Sequence, residues 1–177
     1  MVTLNQNDNY NSNENFIQFT ANLNPNQKNF YKNSARNNNL RFIDSDNNQV
    51  LRIYHQNICG LGTKTNDLLA SLYPYLPHIL CLNEHHLTQF QIQHITMDCY
   101  NLGAEFSRRS FHKGGVCMFI QKHLPFLVIN IEKFCKDKEL SCALKLDFLS
   151  IKVCIITVYS SPNGNFQYFI KGLGNLI

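Results

Sequence analysis

Glu84 closes an apolar run, HILCLN, and is followed at once by His85 and His86. Asn57 holds a parallel place at the end of LRIYHQN. An amide oxygen and a carboxylate set side by side suit one hard cation, because magnesium takes oxygen ligands, keeps several waters and needs few protein groups. The two oxygens should then lie within the span of one hydrated ion, roughly 4 to 6 Å. A plainer reading stays open: Asn57 caps a turn, and Glu84 caps or precedes a helix. The paired histidines invite zinc, but NEHH lacks the i, i+4 spacing of HExxH that puts two rings on one helix face. Consecutive side chains point in different directions in either a strand or a helix. Arg108, Arg109, His112 and Lys113 precede Gly114 and Gly115 and form a basic loop, suited to a phosphate backbone or simply solvated. Tyr159 ends the apolar run IKVCIITVY, where its hydroxyl faces a site or its ring fills a half-buried place.

These residues need elements to position them. VLRIYHQN is rich in β-branched and aromatic residues and stops at the glycines of CGLGTK, which predicts a strand. TKTNDLLASLYPYL sets Leu68, Leu69, Leu72, Tyr73 and Leu76 at spacings of three and four, with Thr63 or Thr65 as N-cap and Pro74 near the end, which predicts an amphipathic helix. HILCLNE reads as a strand covered on both faces. Strand, helix, strand with short connections is the βαβ pattern of a layered α/β protein. Beyond Glu84 the chain is polar and poorly periodic as far as Arg109, with one short strand around residues 100 to 106. HKGGVCMFIQ and LVINIEKF read as strands, and LSCALKLDF with IKVCIITVY as an antiparallel hairpin. FQYFIKGLGNLI begins a helix.

Composition divides the chain. Residues 1 to 48 are one-third asparagine and carry no aliphatic periodicity. Such a segment cannot bury enough apolar surface to offset its ordering entropy, so a disordered arm is expected there and one domain over 49 to 177. The arm's acidic and basic residues cancel, which leaves the formal excess of +4 on the domain and suits an anionic partner. None of the seven cysteines forms a CxxC pair, and Cys81, Cys117 and Cys154 sit inside apolar runs. They read as reduced, buried thiols of a nuclear or cytoplasmic protein. No signal peptide or membrane span is expected, because the N-terminus has no basic flank and the apolar runs are strand-sized.

The ordered set LRIYHQNICGLGTK, PHILCLNEHHL, KGGVCMFIQ and ITVYSSPNGNFQYF resembles the endonuclease/exonuclease/phosphatase superfamily, the DNase I-like fold, and within it the endonuclease domain of jockey-like non-LTR retrotransposons. The resemblance spans about residues 50 to 177. It implies a four-layer α/β sandwich, here a partial one with a mixed central sheet and flanking helices, and a magnesium-dependent phosphodiester hydrolase acting on DNA. Manganese would serve in the same place, no small-molecule cofactor is called for, and in the family a reverse transcriptase shares the polypeptide. By motif, Glu84 takes the place of the metal-binding glutamate and Asn57 that of the first-strand asparagine. Tyr159 takes that of the tyrosine near the scissile phosphate. Asn163 resembles a DNA-facing loop asparagine, and Arg108, Arg109 and Lys113 are placed to meet DNA. His85 and His86 are then bystanders. The family's GDFN-like strand end and late Asp–His pair have no counterpart: Asp46-Asn47-Asn48 precedes the first strand, and the last histidine is His123. The match is therefore to the first part of such a domain, and the rival expectation is a non-catalytic remnant that binds nucleic acid weakly.

Overall fold

A computed structural model describes residues 16–21, 49–74, 76–108, 113–135, 139–148 and 151–161, together with Gln167, Lys171 and Gly174. The chain divides into two units, Met1–Arg52 and Ile53–Ile177. In the first unit, β1 (Phe16–Ala21) is a strand, so these six residues depart from the expected disorder. Within it IQFTA alternates apolar and polar residues with period two, a local pattern that favours extended backbone. The rest of the arm up to residue 48 lies outside the described residues. β2 (Gln49–Asn57) begins in the first unit, and its Ile53–Asn57 part belongs to the second.

The second unit has mixed α/β content in which strands dominate. β2 runs from Ile53 parallel to β3 (Ile79–Asn83), with Asn57 opposite Asn83. The crossover between them is α1 (Thr65–Leu72), so the expected βαβ unit is present. The helix is shorter than its periodicity predicts, ending before Tyr73, which is extended and exposed. Tyr73 precedes a proline, and that clash disfavours helical backbone. Its N-cap is Lys64, with no side-chain cap, rather than Thr63 or Thr65.

Every residue of β3 is buried, which matches its unbroken apolar run. β5 (Val116–Gln121) pairs antiparallel with β3, and β4 (Tyr100–Phe106) pairs antiparallel with β5, giving the order β2-β3-β5-β4 within this unit. α2 (Gln89–Gln93) lies between β3 and β4 in a stretch that periodicity leaves blank. A capping box between Thr88 and Gln91 supplies what periodicity lacks.

The second sheet is antiparallel, in the order β6 (Phe126–Ile129), β7 (Glu139–Phe148), β8 (Ile151–Ser160). The β7–β8 hairpin pairs continuously from Glu139–Ser160 to Phe148–Ile151. β6 covers only the first part of LVINIEKF. Glu132–Phe134 is a 3₁₀ turn, entered where the Asn130 side chain accepts from the Glu132 backbone N–H at 3.1 Å. That side-chain bond offers the backbone an alternative to the ladder.

The two sheets face each other, β7 over β4 and β5, and β8 over β3 and β5. Cys142, Leu144 and Leu146 on β7 and Ile155 and Thr157 on β8 are buried, and on β7 Ser141 and Ala143 are buried with them. Tyr159 shares the parity of Ile155 and Thr157. Cys154 has the opposite parity and is exposed, which corrects the expectation that it is a buried thiol; Cys81 and Cys117 are buried as expected. At Gly103 the β4–β5 pairing slips by one residue, and a Cβ there would stand 3.1 Å from Leu144 of the facing sheet. A side chain at that point would press on the facing layer. The predicted C-terminal helix is described only at Gln167, Lys171 and Gly174, which are helical.

Candidate functional site

Past the last ladder pair of β2 and β3 the backbones stay zipped, but irregularly. Ile58 donates to the Asn83 carbonyl, Gly60 to Glu84 and Leu61 to His85, at 2.8–3.0 Å. On the other side Glu84 donates to Gly115 at 2.7 Å and His86 to Gly114 at 2.8 Å. The Glu84 segment is thus held between two loops, one of them glycine-rich. Cys59, Glu84 and His86 all have positive φ, at 46°, 56° and 57°, uncommon for residues with a Cβ. Strained backbone of this kind gathers where surrounding structure fixes it, often at sites.

The alternation sends neighbours opposite ways. His85 is fully buried, its ring packed on Gly115, where φ is +89° and a Cβ would stand 2.2 Å from Nε2. The Leu87 backbone N–H donates to His85 Nδ1 at 3.0 Å, which places the proton of the neutral ring on Nε2. Burial pushes the His85 pKa down to about 4. Glu84, half-buried, turns outward. Its Oε2 lies 3.2 Å from the Cys59 sulfur and 3.6 Å from His86 Nε2.

The Asn57 side-chain oxygen also lies 3.2 Å from the Cys59 sulfur, and it accepts from the Cys59 backbone N–H at 3.3 Å. The two oxygens therefore stand no farther apart than twice that sulfur distance. Asn57 thus caps a turn, as its plainer reading has it. Between the oxygens sits a thiol with one hydrogen, which only one of them can receive fully at a time. Lys64 closes the loop beneath, donating to the carbonyls of Ile58 at 2.8 Å and Cys59 at 3.1 Å.

Tyr159 reaches this group from the second sheet. Its hydroxyl donates to Glu84 and is the largest influence holding that carboxyl below its usual range, with lesser help from Cys59, Asn57 and the nearby His86. Burial and the Glu84 charge raise the Tyr159 hydroxyl in turn. The Cys59 thiol is raised mainly by its bond to Glu84, so it stays protonated. The guanidinium of Arg108 lies 5.8 Å over the Tyr159 ring. Lys113 is exposed next to Gly114. Arg109, His112 and Asn163 lie outside the described residues.

The sequence reading thus finds Asn57, Glu84, Tyr159 and Arg108 brought together, and it misses four partners. His86, taken as a bystander, stands beside the Glu84 carboxylate. Cys59 and Lys64 carry no signal in type or spacing. Asn83 carried one: it is a lone amide in an otherwise apolar strand. Its Nδ2 donates to the Val158 carbonyl and to His55 Nε2, each at 3.1 Å, joining β3 to β8 and β2 one residue away from Tyr159 and Glu84. Burial lowers the His55 pKa, in keeping with a neutral, accepting ring.

Among the described residues no three His, Cys, Asp or Glu side chains are arranged to hold a metal by themselves. A magnesium ion asks for less. Glu84 and Asn57 are the hard oxygen donors it prefers, leaving its remaining positions to water and substrate. The donor set fits, provided the Cys59 thiol turns out of the gap. No protein-family model matches the chain, and no characterised protein matches it significantly.

Proposed function

We propose that Glu84, Asn57 and Tyr159 form the metal-dependent phosphodiester-cleaving centre of a DNA endonuclease of the DNase I-like kind, and that the facing sheets are part of its four-layer sandwich. One observation carries the reading: an ionised carboxylate, an amide oxygen and a tyrosine hydroxyl from three strand ends meet beside an arginine. Glu84 and Asn57 would hold magnesium or manganese, which when bound neutralises charge building on the phosphate. Arg108 and Lys113 meet the backbone phosphates and fix the strand's register. The Tyr159 hydroxyl, now on Glu84, is placed to donate to a phosphate oxygen as charge develops there.

A second reading, a non-catalytic relative that binds nucleic acid weakly, is favoured by one observation: Cys59 fills the gap between the donor oxygens.

One experiment separates them. Binding of a labelled DNA duplex is followed by fluorescence anisotropy with and without magnesium, alongside nicking of supercoiled plasmid. The centre predicts magnesium-strengthened binding and magnesium-dependent nicking above background, both abolished by Glu84→Gln. An equal magnesium response in both proteins leaves the binding remnant.

A further inference from the structure

Next to the site lies a cavity of about 490 Å³ that the centre does not use, bounded by α2, the end of β4, β6 and the 3₁₀ turn. Its size is that of a small-molecule site, for which about 300–1,000 Å³ is usual. Arg108 belongs to both places: it lines the cavity and lies over the Tyr159 ring.

Phe90 stands in the cavity wall, 72% exposed. It is the second residue of α2, so the Thr88–Gln91 capping box sets its position. The His94 ring lies at 4.3 Å and tilted, and His94 Nδ1 is 2.7 Å from the Phe90 carbonyl, which supports the ring from one side. A braced aromatic face left in water is a stacking platform. The rest of the wall is polar. Glu105 accepts from the Ser107 hydroxyl at 2.8 Å, and Glu132 and Asn130 also line the space. Two carboxyl groups repel a phosphate but accept from the amino groups on a base edge, as Glu and Asp do from cytosine.

We infer that this cavity takes an unpaired nucleobase, stacked on Phe90 with its amino edge toward Glu105 and Glu132, while the adjoining phosphate stays at Arg108. The inference rests on the nucleic-acid reading above and deepens it by naming a base subsite. Burial raises the Glu105 carboxyl above its usual range. Stacking is tolerant of sequence, because every base has a π face. The carboxyl groups add a preference for cytosine, adenine and guanine over thymine, which has no exocyclic amino group.

The chain contains no tryptophan, so Phe90→Trp installs a single reporter. Its emission is followed as full-length protein is mixed with oligo-dC, oligo-dT or an abasic phosphodiester strand of equal length, and Phe90→Ala is assayed for affinity to the same strands. The expected result is quenching by oligo-dC, less by oligo-dT and none by the abasic strand. Phe90→Ala should weaken oligo-dC binding by about 5- to 100-fold, the range for losing one base–aromatic stack, and leave abasic binding unchanged. If duplex and abasic strands bind but the reporter does not respond and Phe90→Ala matches wild type, the base subsite is wrong and the nucleic-acid reading stands. If no strand binds at all, both are wrong.

Discussion

The β7–β8 hairpin and the loops around Glu84 are built by opposite means. The hairpin is ten residue pairs of regular ladder. The Glu84 region has almost no ladder: positive-φ residues, backbone bonds to two flanking loops, and a buried histidine pressed on a glycine. Regular structure places apolar surface cheaply but spreads side chains evenly. Bringing an amide, a thiol, a carboxylate and an imidazole to one spot takes backbone that departs from the pleat.

The difference can be broken open by mutation. Leu144 is fully buried between the sheets, and Leu144→Ala should cost about 2–5 kcal/mol in urea unfolding, through lost transfer energy and the cavity left behind. A cost below about 1 kcal/mol would mean that the layers close up freely, contrary to their fit at Gly103.

The loop region should reveal itself by pH. The His85 pKa of about 4 in the folded chain lies below the ordinary value of 6.5, so the unfolded chain takes up the proton first as pH falls. Stability contributed by the neutral ring is complete above about pH 6.5 and is lost progressively down to about pH 4, where the loss levels off. At 1.36 kcal/mol per unit this amounts to about 3 kcal/mol. Unfolding of wild type and His85→Leu at pH 7 and pH 4.5 measures it, since the remaining groups titrate in both. Parallel pH profiles would show that His85 is hydrated in solution.

Gly115→Ala tests the packing beneath Glu84. The methyl group would meet His85 Nε2 at 2.2 Å with φ at +89°, a conformation alanine resists. The expected loss is about 1–3 kcal/mol, as for overpacked cores. A neutral result would mean that the loop yields and does not hold Glu84 in place.

The same contrast explains what could be read in advance. Hairpin, β3 and the β2–α1–β3 crossover follow from periodicity, which reports burial in regular elements. Glu84 and Asn57 were legible because both end apolar runs. Cys59 and His86 were not, because their positions depend on left-handed backbone that no spacing rule encodes. The short α2 was within reach, since T-x-x-Q is a capping signature, but five residues are too few for a period to show. Cys154 misled because IKVCIITVY is apolar on both faces, and its composition does not say which side is covered.

Asn83 has one more consequence. Two apolar sheets in contact are held by forces that barely change when one slides over the other by a fraction of an ångström. A hydrogen bond is less forgiving, because it weakens steeply with distance and angle. The Asn83 amide, gripping the Val158 carbonyl from the facing layer, works as an index pin between the sheets. Alignment of the Tyr159 hydroxyl with the Glu84 carboxylate, one residue further along each strand, is inherited from that pin.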